Sequence, residues 1–369
     1  MEPVKPDYSG ANVVNVMPAL LGSRPVDWLP EPVSGARAVV LLVLDGLGWD
    51  FIASPDAPPV LAAMHGQAIT TVVPSTTPAV LTSITTGLTP AEHGITGYRM
   101  RVDDEGVLNT IRWNRANGVR PPDPSEAQRA EPFRGRPVPV VTKHEFRNSG
   151  FTGVHLRGAD FHGWQTTAVL VEHVRSLIAS GEPLVYAYYP GVDEVGHAYG
   201  LHTPWIAREL EAADQLVGAV LDAVPDDVAV VVTADHGQVQ VGPDGWIGLG
   251  ALDALVDVYA GDGRFRYLHA RRGAARELAD AARAQFDDVA WVFTRDSLLD
   301  DGWMGPDPTG PTRRRVGDVV LAAKGSNGFI DPTWPREAAL MAAHGSLTPA
   351  EMRVPLLATR GRGSSSGHR

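Results

Sequence analysis

Three carboxylates in this chain sit just beyond apolar, strand-like runs, and two of them come with a histidine. Asp45 closes VVLLVLDG, Asp193 and His197 follow LVYAYYPG, and the pair Asp235-His236 closes VAVVVTADHG. Carboxylate oxygens and imidazole nitrogens together form a donor set that suits zinc. A lone Asp after a strand, such as Asp45 before Gly46, reads equally as a turn or helix-cap residue. Three such exits in one chain argue for a shared metal centre, because ligands of open α/β sheets bind outside the carboxyl ends of the strands.

Two more segments carry hydroxyl and imidazole groups. In PSTTPAVLTSITTGLTPAEHGI (74–95), Thr77 precedes Pro78 and reads as the N-cap of a helix that ends at Gly87. Helix N-termini attract phosphate through free N–H groups and the macrodipole. Thr77 is therefore either a simple cap or a hydroxyl nucleophile at a phosphate site. In MAAHGSLTPAEMRVPLL (341–357), His344 is either a surface or capping histidine or the missing donor of a metal site. His93 in AEHGI reads as structural, and Arg313, Arg314 and Arg315 as a solvated edge. His202 in GLHTP is either a turn residue or a substrate contact.

The hydrophobic pattern supplies the elements that must position these residues. Residues 38–44 are continuously apolar and read as a fully buried strand. Further strands are predicted at 68–73, 138–142, 152–156, 184–189 and 227–233, with helices at 58–66, 78–86, 165–180 and 205–223. This alternation predicts an α/β fold with a mostly parallel sheet and helices on both faces. The Pro-rich residues 1–36 are expected to wrap the surface, and the polar, aperiodic residues 98–137 to cross the sheet edge. GRFRYLHA, AARELADAARAQF and VAWVFTRDSLL predict a small inserted α+β cap lobe at 250–314. RVGDVVLAAKG (315–325) is expected to return to the core, which then comprises 1–249 and 315–369. The tail GRGSSSGHR reads as disordered.

Composition narrows the function. The 369 residues suit one large α/β core plus an insertion. A net charge of -11 provides no basic footprint for a nucleic-acid scaffold. An anionic substrate would therefore need cations within the site. The chain has no cysteine, which excludes disulfides, thiolate metal ligands and cysteine nucleophiles. No apolar stretch approaches the roughly 20 residues of a membrane span, and no cationic-then-apolar leader opens the chain. A cytoplasmic protein without a membrane partner is the expectation.

Taken in order, LLVLDG, the PSTT…TTG…P…HGI block, DEVGH, TADHG and AHGSLTPAEMRVPLL resemble the alkaline phosphatase superfamily, in particular its type I phosphodiesterase / nucleotide pyrophosphatase family. The resemblance covers most of residues 38–240 plus 341–357. Each piece is short, and the ordered combination is what is specific. It implies an alkaline-phosphatase-like three-layer sandwich and two zinc ions about 4 Å apart. Manganese or another divalent metal could use the same donors. By residue type, Asp45, Asp235 and His236 match the ligands of the first zinc, which also takes Thr77. Asp193, His197 and His344 match those of the second. Thr77, the last residue of PSTT, matches the family's nucleophile, and Thr76 is the adjacent hydroxyl.

The reaction so implied cleaves a phosphodiester or phosphoanhydride bond of a small, nucleotide-type phosphate ester through a phosphothreonine. One departure stands out. The family carries a phosphate-binding Asn after the HG-I block, whereas HGITGYRM places Thr96, Gly97 and Tyr98 there. Tyr98, Arg99 and Asn114 are the candidates to replace it, and His202 is a further candidate substrate contact. The alternatives are a phosphomonoesterase or phosphonate hydrolase of the same superfamily. The mutase-like branch prefers Ser as nucleophile, and formylglycine sulfatases need a context missing from this chain. A catalytically silent binding protein on this fold predicts a lost ligand, yet all six are present.

Overall fold

The computed structural model describes residues 1–22 and 26–363, and the core is a seven-stranded sheet. From residue 364 onward the Gly/Ser-rich tail lies outside the described residues. Strands run in the order His65–Thr70, Arg353–Arg360, Val228–Thr233, Ala38–Leu44, Leu184–Tyr189, Pro139–Lys143 and Asp160–Trp164. Only Arg353–Arg360 runs against its neighbours. Every residue of Ala38–Leu44 and Val228–Thr233 is buried, so both faces of the sheet are covered. The helices Val13–Leu21, Thr77–Thr86 and Gly150–His155 form one packing group. Thr167–Ala179, Gly191–Tyr199 and Pro204–Ala223 form another. The result is the layered α/β arrangement that the alternating pattern predicts.

Three neighbouring parallel strands end together, with Ala38–Leu44 in the middle. Val43 lies beside Tyr188 on one side and Thr233 on the other. The chain leaves the middle strand for one edge, at His65–Thr70, and later enters the opposite side through Pro139–Lys143. A crevice forms outside the strand ends where the order reverses in this way. Asp45, Asp193 and Asp235 all follow strands that end there.

The structure differs from the sequence pattern in five places. Of residues 152–156, expected as a strand, 152–155 belong to the helix Gly150–His155 and Leu156 caps its end. Ser149 caps it by accepting from the Thr152 N–H, and Phe151, Val154 and His155 are buried at helical spacing. The strand follows at Asp160–Trp164. The strand expected at 68–73 starts earlier, as His65–Thr70, and the helix before it is the single turn Pro59–Ala62. Residues 1–36 do more than wrap the surface: Val13, Val16 and Met17 of the helix Val13–Leu21 are fully buried. Within 98–137 lies a three-stranded antiparallel sheet of Arg99–Asp103, Gly106–Asn109 and Asn114–Arg115.

The fifth difference concerns the lobe. Its sheet is antiparallel, in the order Val256–Asp262, Phe265–Ala270, Val319–Ala323 and Ala290–Thr294, with the helix Ala275–Phe286 packed on it. Val319–Ala323, expected to rejoin the core, pairs inside this small sheet, so the sheet extends past residue 314. Val319, Leu321 and Ala323 pack with Leu278 and Phe286 of the helix, while Val320 and Ala322 join Phe265 and Tyr267. A run buried on both faces reads the same in either sheet. Among the described residues, no helix is long and apolar enough to cross a membrane.

Candidate metal centre

Asp45 directly follows Ala38–Leu44, and Asp235-His236 follows Val228–Thr233. Asp193 and His197 lie one turn apart on the helix Gly191–Tyr199. His344 arrives from the far end of the chain, held where Ala342–Ala343 pairs antiparallel with Val239–Gln240. Donor atoms of Asp193, His197 and His344 lie within 4.8 Å of one another, as do those of Asp45, Asp193 and His236. Asp193 thus reaches both groups. Asp235 joins the second group through Oδ2, 3.3 Å from His236 Nε2.

Backbone carbonyls orient the three imidazoles. Nδ1 of His236 donates to Gly237 O at 3.1 Å, that of His197 to Ala342 O at 2.7 Å, and that of His344 to Ser75 O at 2.9 Å. A neutral ring that donates through Nδ1 presents a bare lone pair at Nε2. His236 Nε2 then faces Asp45 Oδ1 at 3.4 Å and Asp235 Oδ2 at 3.3 Å. Both oxygens are buried and have no hydrogen-bond partner. Two carboxylate oxygens turned on an imidazole lone pair form a donor set that a cation would satisfy, and that protons on the carboxyls satisfy in its absence. The donor spacing suits a cation, since a tetrahedral site with bonds of about 2.0–2.1 Å has edges of about 3.3–3.4 Å. In the other group, Asp193 lies 3.3 Å from His197 Nε2 and 3.7 Å from His344 Nε2.

The electrostatics agree. Burial pushes the Asp45 carboxyl well above its usual range, and Asp235 and Asp193 add to the shift. Burial also raises Asp235 and Asp193. It depresses His236 and, reinforced by the neighbouring His236 and His197 rings, depresses His344 strongly. Metal-free, burial favours protons on the three carboxyls and neutral rings at His236 and His344, and a divalent cation would displace the carboxyl protons. Supporting groups complete the shell. Tyr188 donates to Asp45 Oδ2, the Gly46 N–H to Asp235 Oδ1 at 3.1 Å, and Gln238 Nε2 to Asp193 Oδ1 at 2.9 Å.

Thr77 Oγ1 lies 3.1 Å from His236 Nε2. The expectation that Thr77 caps its helix is corrected. Thr76 occupies the cap position, with φ -121° and ψ 142°, and Thr77 is the first helical residue. The extended backbone is carried one residue earlier, so the Thr77 hydroxyl is free to face the metal donors. The Thr76 hydroxyl is buried and has no partner.

Asp45, Thr77, Asp193, His197 and His344 line a cavity of about 420 Å³ whose walls include Tyr98, Arg112, Trp246, Asp262 and Trp334. A smaller, apolar cavity of about 190 Å³ shares Thr77, Ile111, Phe146 and Tyr188 with it. Of the four predicted substrate contacts, Tyr98 lines the main cavity. Arg99 is buried in an ion pair with Asp331, because its strand turns the side chain away from the cavity. Asn114 sits exposed in the small sheet opposite Asn109, and His202 lines a separate surface pocket. His93 is structural, bonded to Ser83 Oγ at 2.9 Å. Arg315 is buried rather than solvated, donating to Gly94 O and Ala127 O, while Arg313 pairs at the surface with Asp300.

The sequence pattern missed Tyr188, Gln238, Asp262 and Trp246. Tyr188 had a signal, since the period-two alternation of YAYY places it at the strand end beside Val43. Gln238 lies in the loop of Asp235-His236. Asp262 and Trp246 gave none, because their approach depends on how the lobe folds back.

The layered sheet, the metal-type donor groups at its switch point and the hydroxyl beside them define a class: metal-dependent enzymes of phosphoester hydrolysis or transfer. The model of the family described as "Type I phosphodiesterase / nucleotide pyrophosphatase" matches residues 39–176 and 173–347. The chain belongs to that family. Among solved structures, murine ectonucleotide pyrophosphatase/phosphodiesterase 5 superposes with a TM-score of 0.67 at 18% identity, covering 89% of this chain and 90% of that one. Phosphonoacetate hydrolase from Sinorhizobium meliloti 1021 superposes at 0.62 and 19%, covering 91% and 92%. These likenesses show the alkaline-phosphatase-like fold. Among sequence relatives, the catalytic subunit of mouse GPI ethanolamine phosphate transferase 3 is 26% identical over 249 residues, 59% of this chain. The human protein is 34% identical over 77 residues, 21% of this chain. The matched segments span 21% of the mouse relative and 7% of the human one.

Proposed function

We propose that this chain hydrolyses phosphodiester or phosphoanhydride bonds of small, nucleotide-type esters at a di-zinc centre, through a phosphothreonine on Thr77. The observation that carries the reading is the surround of His236 Nε2. Thr77 Oγ1, Asp235 Oδ2 and Asp45 Oδ1 stand 3.1, 3.3 and 3.4 Å from it, a nucleophile and two carboxylates arranged about one point. Asp45, Asp235, His236 and Thr77 would hold the first cation, and Asp193, His197 and His344 the second. Oxygen and imidazole donors at this spacing favour zinc, and manganese is the next candidate. When bound, the cations supply Lewis-acid charge that depresses the Thr77 hydroxyl pKa and neutralises phosphoryl oxygens.

The remaining steps belong to the chain. Thr77 sits at the start of a helix, where N–H groups and the macrodipole favour a phosphate. Its Oγ1 attacks phosphorus in line, the P–O bond to the leaving alcohol or phosphate breaks, and phosphothreonine forms. Water then attacks the same phosphorus from the opposite side and Thr77 departs, so two inversions give net retention. Tyr98 is the candidate of its segment that lies in the cavity to meet the phosphate. A second reading, with an acceptor alcohol in place of water at the second step, is favoured by the transferase names of the sequence relatives.

The test uses zinc-loaded protein with bis(p-nitrophenyl) phosphate and p-nitrophenyl phosphate. The diester is expected to be cleaved with the higher kcat/KM, with two zinc ions per chain by elemental analysis. Thr77→Ala is expected to lose turnover by at least about a thousandfold while keeping its zinc. Thr76→Val, which removes a buried hydroxyl without a partner, is expected to stay active. Preference for the monoester would overturn the diesterase assignment, and a fully active Thr77→Ala would overturn the nucleophile.

A further inference from the structure

A buried charge network lies behind the cavity wall formed by the lobe. Arg99 pairs with Asp331, while Arg266 pairs with Glu337 and lies 3.7 Å from Asp331. Two guanidiniums thus meet two carboxylates, and that set is balanced. Asp262 is the fifth charged member, and it has no ion-pair partner. Among the described residues, no Lys, Arg or His nitrogen lies within the 4.0 Å of an ion pair to its carboxylate. Asp262 is only 8% exposed, yet it lines the cavity. Its Oδ2 accepts the Tyr98 N–H at 3.2 Å. Burial pushes its carboxyl up to about 7, more than the Tyr98 N–H and the more distant Arg266 and Arg99 charges offset.

The position is close to the reacting centre. A Cβ built on Gly345, the neighbour of His344, would lie 3.4 Å from Asp262 Cβ and 3.3 Å from Thr76 Cγ2. Aromatic groups flank Asp262. The indole of Trp246 lies against Gly263 and Gly328, where a Cβ would come within 2.5 and 2.6 Å of Cζ3. Its Nε1 donates to Leu340 O at 3.2 Å, so the ring is held in place at the wall. Tyr98 stands on the same cavity. Trp334 is already taken, with Arg99 and Arg336 at 5.5 and 6.0 Å from its ring. Arg112 and Arg336 also line the cavity, but they are exposed at its rim, where solvent and salt screen them.

A buried carboxylate without an ion-pair partner, beside electron-rich rings, attracts an organic cation by ion pairing and cation–π contact. We propose that Asp262, with Tyr98 and Trp246, forms a subsite for an alkylammonium group carried by the substrate's phosphate ester. The proposal rests on the phosphoryl-transfer reading above and names the substrate's headgroup.

Phosphoethanolamine and ethyl phosphate test it, since they differ at the chain end by an ammonium group. Their binding to zinc-loaded protein is measured by calorimetry for the wild type and Asp262→Asn, which keeps an acceptor for the Tyr98 N–H. The wild type is expected to bind phosphoethanolamine at least about tenfold more tightly. Asp262→Asn is expected to lose that preference while its Kd for ethyl phosphate and its zinc content stay unchanged. A structural role for Asp262 would instead weaken both ligands together. Equal binding by the wild type, a preference that survives Asp262→Asn, or parallel weakening of both ligands would overturn the proposal alone. Failure of both phosphates to bind the wild type would overturn the phosphate site and the proposal with it.

Discussion

Five of the six donors share a protonation problem, and it predicts how the metal should bind. In the metal-free fold, burial raises Asp45, Asp193 and Asp235 above the ordinary carboxylate range and depresses His236 and His344 below 6.5. The signs differ. Raised carboxyls keep protons that the unfolded chain has shed, so their contribution to stability falls as pH rises above about 4. Depressed imidazoles stay neutral where the unfolded chain is charged, so their contribution falls as pH drops below about 6.5. A cation displaces the carboxyl protons but finds His236 and His344 already neutral. Zinc should therefore raise the melting temperature more at about pH 8 than at about pH 5.5, and release protons that come from carboxyls. Melting with and without chelator, plus calorimetry in buffers of different ionisation enthalpy, would check this. A zinc effect that does not vary with pH would count against the shared site. Asp45, Asp193, His197, Asp235 and His236 were legible as candidates because they follow strand-like runs, whereas His344 became one through the family resemblance. Gln238 was not legible, since an amide in a loop has many ordinary uses, and Asp262 acquires its meaning only from the missing ion-pair partner.

The helix that carries Thr77 depends on how it stops. Gly87 terminates it in the left-handed region, with φ 69° and ψ 22°. A Cβ there would lie 2.5 Å from Pro18 Cγ, on the N-terminal helix Val13–Leu21. Gly87→Ala therefore meets both backbone strain and a clash between two packed helices. It is expected to cost about 2–4 kcal/mol, seen as a lower denaturant midpoint. Gly181 is the control, since it also has positive φ, at 96°, but open space around its Cβ position. Gly181→Ala should cost about 1 kcal/mol, from strain alone. Equal losses at the two positions would mean that the Pro18 contact carries no weight. Pro78 and Gly87 made this helix readable in sequence. The helix Gly150–His155 was not, because Phe151, Thr152 and Val154 carry strand propensity while its signals are one capping Ser and a short buried face. Tertiary packing overrides so weak a local preference.

At the scale of the molecule, one ion pair ties the lobe to the metal centre. Arg264, in the turn between the lobe strands Val256–Asp262 and Phe265–Ala270, meets Glu351 with both side chains fully buried. The contact is bidentate, with Nε to Oε1 at 2.7 Å and Nη2 to Oε2 at 2.8 Å. Glu351 also accepts the Ser346 N–H at 2.9 Å and the Thr348 hydroxyl at 2.5 Å. It thereby organises the turn that follows His344, while Arg264 lies two residues past Asp262. Sequence could show that AHGSLTPAEM accompanies the site, but not that its acidic residue reaches into the lobe 87 positions away. The lobe's closing strand, Val319–Ala323, was hidden for a related reason: its partners are distant in sequence. Glu351→Gln should leave the Arg264 charge buried without an opposite charge, costing about 3–5 kcal/mol and lowering zinc occupancy at the His344 site. The paired change Arg264→Met with Glu351→Leu removes both charges and should recover much of that stability. It should not recover full activity, because Ser346 N and Thr348 Oγ1 would still lack their acceptor. Denaturant midpoints and zinc content of the single and paired variants separate the two effects. If Glu351→Gln melted like the wild type, the lobe would be held by its apolar contacts alone, and the positioning of His344 would have to come from the Ala342–Ala343 pairing.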